Sequence, residues 1–258
     1  MTWAPGSLAP RPGAAPLRRM LAAQTAAELK LVLRNGEQVL LSLVIPLALV
    51  VLLVTVPFIT LEGTADGRRA DFFVPGVLAL AVMSAAFTGQ AIAVGFERQY
   101  GVLKRLGATP LPRGVLLAAK TLSVLVVEVL QVGLLCAVGL ALGWQPQGSP
   151  LAVLVLVVAG TGAFSGLGLL LGGTMRGLTT LAAANLLWFV LLVLGGVLFP
   201  LSAFGAAEPA LSLLPTAALS TGLREVLQDG GTAVREVLVL LTWGALGLTA
   251  ASRAFRWE

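Results

Sequence analysis

The chain has 258 residues, 57% of them hydrophobic and only 11% charged, with a formal net charge of +5. A soluble globular chain carries about 25% charged and about 45–50% apolar residues, so this composition excludes a water-soluble domain and indicates a polytopic, all-α integral membrane protein. Histidine is absent, which removes Ser–His and Cys–His nucleophile pairs and an HExxH zinc site, and no GxxxxGK[ST] loop is present to bind a nucleotide.

The single cysteine, Cys136, lies in an apolar run; it forms neither a disulfide framework nor a CxxC metal pair, and reads as a small residue facing lipid or core. The basic excess reflects membrane orientation and anionic lipid rather than nucleic acid.

Residues 1–16 hold four prolines and no apolar block long enough for a signal peptide, so a short disordered cytoplasmic tail is expected. Leu17 to Gln38 has helical composition, and a membrane-surface helix is expected there although its charges are scattered around the wheel. Residues 1–38 thus form a tail and surface helix, and residues 39–258 a single transmembrane domain. Six apolar runs follow, at about 39–59, 72–94, 115–144, 151–173, 180–199 and 234–254. The first is long enough for a hydrocarbon core of about 30 Å, and Pro46 inside it predicts a kink. The third is longer than a crossing needs, which predicts tilt or projection.

If the N-terminus is cytoplasmic, Arg68, Arg69, Arg224 and Arg235 lie outside and the other thirteen Lys and Arg residues inside. That asymmetry places both termini in the cytoplasm. The same side then holds the one strongly polar insert, Gly95–Gly114. Phe96, Tyr100, Val102, Leu103 and Leu106 are expected on one arc of an amphipathic helix lying flat at the surface, with Glu97, Arg98, Lys104 and Arg105 on the other. Thr109-Pro110-Leu111-Pro112 ends it and re-aims the chain into the third span.

Between the fifth and sixth spans, Leu201–Thr232 is too long for a turn, and its apolar pieces around Pro209 and Pro215 are too short to cross. They are expected as short helices sheltered by protein at the outer mouth, the alternative being a plain exposed loop. Within the spans, Glu128 and Gln131 share a face of the third. An acidic residue at mid-bilayer costs about 2.5–3.5 kcal/mol on insertion scales, so it faces protein or water. Two roles stay open: a pathway-lining site for a cationic substrate or a coupling proton, or a hydrogen-bonded lock to a neighbouring span. Asn185 and Trp188 sit one turn apart on the fifth span, as pathway lining or as packing glue. Gly162, Gly166, Gly168 and the Gly195-Gly196 pair suit close helix packing, and Trp144 and Trp257 suit interfacial anchoring. No internal repeat is evident.

Four stretches carry a resemblance to a known family. They are AELKLVLRNGEQVLLSLVIPLALV (27–50), FERQYGVLKRLGATPLPRGVLLAAK (96–120), Asn185–Pro200, and the proline-punctuated Leu211–Leu227. In this order they resemble the permease subunit of type 2 ABC exporters, the class that includes drug and antibiotic efflux permeases; the second stretch is the specific one. The resemblance implies an entry helix, a cytoplasmic coupling segment, and a permease that pairs with a second copy or a paralogue. It also implies two separate ATP-binding subunits, so that ATP and Mg belong to the partner, with no cofactor, metal or catalytic residue on this chain. Glu97, Arg98, Tyr100, Gly101, Leu103, Lys104, Arg105, Leu106, Thr109 and Pro110 would form the coupling segment, whose alternative is a positively charged topology anchor. The function so implied is export of a small hydrophobic or amphipathic compound, drug-like, antibiotic or lipid-like, across a bacterial-type plasma membrane. Two alternatives share parts of the pattern: export of a lipid-linked polysaccharide, which would ask for more polar spans, and ion-coupled secondary transport through Glu128, which leaves 96–113 without a role.

Overall fold

The computed structural model describes residues 14–56 and 69–254, with the backbone alone at 37–39 and 41. The expected N-terminal tail up to residue 13, Arg11, Arg68, Arg256, Trp257 and the last three residues of the first apolar run lie outside the described residues. Among the described residues every regular element is helical: α1 (Leu17–Arg34), α2 (Gly36–Thr55), α3 (Arg69–Met83), α4 (Gln90–Gln99), α5 (Val102–Gly107), α6 (Arg113–Ala141), α7 (Pro150–Thr174), α8 (Gly177–Leu194), α9 (Glu208–Leu211), α10 (Pro215–Asp229) and α11 (Val234–Ala254). A π-helical turn, Ser84–Gly89, joins α3 to α4, and a 3₁₀ segment, Leu201–Ala207, precedes α9.

Five helical stretches are long and apolar enough to cross a membrane: Arg69–Gln99, Arg113–Ala141, Pro150–Thr174, Gly177–Leu194 and Val234–Ala254. In α2, which continues through Pro46, the described apolar stretch Ser42–Thr55 is shorter. The surface helix expected to reach Gln38 stops at Arg34, where Asn35 separates it from α2. The second span is longer than expected. At about 1.5 Å per residue the helix from Arg69 to Gln99 extends about 46 Å, so its lower end projects well past a hydrocarbon core.

The centre of the bundle is built from α3–α4 and α7, which are largely buried, while α6, α8 and α11 turn broad apolar faces outward. Small residues let the central backbones approach. A Cβ on Gly166 would stand 2.7 Å from the Leu248 amide nitrogen and 2.9 Å from the Gly247 carbonyl carbon, so α7 and α11 meet backbone to backbone. Further down, a Cβ on Gly168 would stand 2.7 Å from the Phe87 carbonyl oxygen in the π-turn. The expected packing role is therefore visible as geometry at Gly166 and Gly168, with the contact surface made of main chain rather than side chains, whereas a Cβ on Gly162 would meet nothing within 4 Å.

At the end of the bundle opposite α5, the segment between α8 and α11 folds into the protein. Helix α10 has eleven buried residues among its fifteen and packs on α3, α7 and α11; at about 22 Å it is too short to cross. Arg224 fastens it. Its guanidinium donates to the carbonyls of Gly196 (2.6 Å), Val197 (3.1 Å) and Phe72 (3.3 Å), and its carbon lies 3.9 Å from the Phe72 ring centroid. The first two carbonyls follow the C-terminus of α8, where the helix dipole favours a cation.

Trp144 is not an interfacial anchor but buried, at 3% exposure. Helix α6 ends at Ala141, three residues before the expected limit, and Gly143 (φ +88°) reverses the chain. The Trp144 amide then donates to the Gly139 carbonyl (3.0 Å), and the indole covers Gly139, where a Cβ would come within 2.9 Å of it. Gly166→Leu is expected to separate α7 from α11 and to destabilise the protein by about 1–3 kcal/mol or more, as overpacked cores do. A lowered unfolding midpoint in detergent checks this.

Candidate functional site

The polar insert does not form one flat helix. The first half of the expected amphipathic element is the last turn and a half of α4, which ends at Gln99; Gly101, at φ +70°, breaks the helix, and α5 restarts at Val102. A left-handed conformation costs a residue with a side chain about 1–2 kcal/mol, so glycine is what lets the corner form here. Open space surrounds Gly101, and backbone conformation is its whole contribution.

The break redistributes the expected faces. Tyr100 is 69% exposed and Val102 40% exposed, whereas Leu103 is fully buried. Leu103 and Leu106 pack with Leu116 and Leu117 of the first turns of α6. Tyr100 stacks on Phe96, with ring centroids 6.0 Å apart. Lys104 and Arg105 remain exposed, as do Thr109 and Pro110. The Thr109 hydroxyl donates to the Leu106 carbonyl at 2.6 Å and closes the end of α5. Pro112 then caps α6, whose first residue is Arg113.

Glu97 and Arg98, expected on the outer arc with Lys104 and Arg105, turn inward. Arg98 donates to the carbonyls of Gly173 and Met175 at the end of α7, both at 3.4 Å. Glu97 accepts from the Lys120 ammonium of α6 at 2.8 Å. The same ammonium lies 2.9 Å from the Glu28 carboxylate of α1. Lys120 and Glu28 are buried and Glu97 half-buried, so three helices meet at one cation. Glu28 also accepts from Gln24 one turn before it, at 2.8 Å. Glu28 and Lys120 were not among the expected site residues. The usable signal was a lysine two turns inside an apolar helix, where an uncompensated charge is costly.

The candidate pathway residues are dispersed. Glu128 is fully buried in α6 and accepts a hydrogen bond from the Thr161 hydroxyl of α7. That hydroxyl also lies 2.7 Å from the Val157 carbonyl. Gln131 donates to the Ser42 carbonyl of α2 at 2.6 Å. The two residues share a face, as their spacing implies, but each holds α6 to a different neighbour. Trp188 donates to the Ser84 hydroxyl in the π-turn at 2.9 Å, while Asn185 is exposed on the outer face of α8. Among the described residues no group of three or more Cys, Asp or Glu side chains is placed to hold a metal ion.

A family model described as "ABC-2 type transporter" matches residues 21–227. No curated protein matches the chain. The matched range takes in α1 from its fifth residue, the α4–α5 corner, Lys120 and all but the last two residues of α10.

Thr161→Val keeps the side-chain shape but removes the polar partner of Glu128. A loss of about 1–3 kcal/mol is expected, the cost of a buried polar group left unmatched. Glu128→Gln keeps an oxygen for Thr161 and is expected to stay within about 1 kcal/mol of the parent. Unfolding midpoints of the two variants in the same detergent check the order.

Proposed function

The chain belongs to the ABC-2 type transporter family, and we propose that it is the membrane permease of an ATP-driven exporter that works with a separate ATP-binding subunit. The observation that carries this reading is the shape of the α4–α5 corner. Tyr100, Val102, Lys104 and Arg105 project from a support fixed by Leu103, Leu106, Arg98 and Glu97. A projection with an anchored base transmits displacement to the helices beneath it, whereas charges that merely orient a loop need no such base.

In this reading six spans cross the membrane, α2 among them, and both termini are cytoplasmic. The Lys and Arg bias supports that orientation. Two ATP-binding subunits dock on the cytoplasmic corners of a permease pair, either two copies or a copy and a paralogue. Lys104 and Arg105 set register and encounter rate, while Tyr100 and Val102 supply apolar contact. ATP and Mg stay on the partner. ATP binding drives alternation of the permease only through the partner's different affinity for its two states, since a ligand shifts an equilibrium by no more than that difference.

The cargo is a small hydrophobic or amphipathic compound, drug, antibiotic or lipid-like, moved out through the plasma membrane of a bacterial-type cell. The scarcity of polar side chains in the spans supports that class over a sugar polymer. The second permease copy sits on the outer face of α8, where exposed Leu186 and Phe189 flank Asn185, and Glu128, Gln131 and Trp188 come to line the pathway when the helices part.

Two measurements test this. Lys104→Glu with Arg105→Glu is expected to weaken binding of the ATP-binding subunit by about tenfold or more, equivalent to about 1.4 kcal/mol, with membrane insertion unchanged. Undiminished binding makes the segment a topology anchor. In a Cys136→Ala background, Asn185→Cys is expected to form an intermolecular disulfide in membranes, and absence of the cross-linked dimer rejects the α8 interface.

A further inference from the structure

Lys120 has a geometry that a topology charge does not need. It sits on α6 one turn past Leu116 and Leu117, the residues on which α5 is seated. On one side it meets Glu28 of α1, on the other Glu97 of α4. Helix α1 packs chiefly along α6, whereas α4 packs on α7 and α8. The ammonium therefore bridges two helices that belong to different packing groups.

Net stability is a poor explanation of this arrangement. A buried ion pair gains little over apolar packing of the same volume, because desolvation offsets the attraction. Two carboxylates around one ammonium also leave a surplus negative charge. What the arrangement adds is connection. Removing the cation leaves a buried acid on α1 and a half-buried one on α4 without the charge that holds them together.

We infer that Lys120 is a positioning residue for the docking corner, and that through Glu28 and Glu97 it makes α1 move as one body with the end of α4. Force applied at Lys104 and Arg105 then reaches α1 directly, as well as the helices continuous with the corner. Helix α1 carries exposed Arg18, Arg19, Lys30 and Arg34, a basic surface suited to anionic headgroups, so the moving unit slides along the membrane surface rather than through it. The inference rests on the permease reading for the source of the force, but the clamp itself does not.

The test uses the full chain with Cys136→Ala and two arms. In the first, spin labels at Ala26→Cys on α1 and Val102→Cys on the corner report their separation without any ATP-binding subunit. Lys120→Met is expected to broaden a narrow distance distribution, and Lys120→Arg to keep it narrow. In the second arm, unlabelled chain is reconstituted in vesicles with its ATP-binding subunit, and movement of an amphipathic fluorescent dye per ATP hydrolysed is measured. Lys120→Met is expected to lower that ratio about tenfold, within the span by which single residues modulate coupling, and Lys120→Arg to restore it. A narrow distribution in Lys120→Met overturns the clamp. A broad distribution with an unchanged ratio overturns its positioning role. If Lys120→Met does not insert, Glu28→Gln takes its place: it leaves the Glu97 pair whole and is expected to release α1, and a narrow distribution in Glu28→Gln overturns the inference. Failure of any ATP-binding subunit to engage the unmodified chain rejects the permease reading and with it the force-transmitting role of Lys120, while the first arm still decides whether α1 and α4 are joined.

Discussion

In a bilayer, lipid tails are as apolar as leucine, so helices are not driven together by burying hydrophobic surface. Close approach has to come from shape, and here it comes from α7. Its Gly166 and Gly168 let α11 and the π-turn come to main-chain contact on separate faces of the same helix. Dispersion at such short range is the attraction that remains once lipid competes equally for side chains. The outer helices α6, α8 and α11 then settle around this column with their long apolar residues turned outward. Leu, Val and Phe fill space and face lipid, but they do not choose partners.

Polar groups do that choosing, and they are divided by level. Across the middle, Thr161 with Glu128, Gln131 with Ser42, and Trp188 with Ser84 each join two helices by a single bond. At one end Arg224 gathers three carbonyls, from Phe72, Gly196 and Val197. At the other, Lys120 gathers two carboxylates and Arg98 two carbonyls. The ends are fastened by Arg and Lys side chains with several partners each and the middle by single side-chain hydrogen bonds, which leaves the interior freer to rearrange than either mouth.

Much of the architecture was legible in the sequence because hydropathy over about 20 residues is a coarse signal that backbone requirements in lipid make hard to misread. The exposed tip of the candidate site, Tyr100 with Lys104 and Arg105, was legible for the same reason: a polar run interrupts apolar ones. Its inner supports were not. The helical wheel assumed one continuous helix from Gly95 to Leu106, and Gly101 breaks it, so Glu97 and Arg98 were assigned to the wrong face. Lys120 was counted as one more basic flank residue, because its partners lie 92 and 23 positions away in sequence and no local pattern reports them. Trp144 was misplaced by the reversal at Gly143, which composition does not encode.

The π-turn at Ser84–Gly89 gives the long helix a property beyond its bond to Trp188. A π-bulge inserts one residue into an α-helix, and one residue is about 100° of rotation. Everything after the bulge is therefore turned about its axis relative to where an uninterrupted helix would put it. The side of α4 that carries Glu97 toward Lys120, and Gly95 toward Thr180, is fixed by a phase set two turns earlier. Melting that wide turn into regular α-helix would swing the carboxylate away from its cation without breaking the helix that carries it. Rotational phase, stored in mid-membrane, is thus read out as electrostatics at the surface.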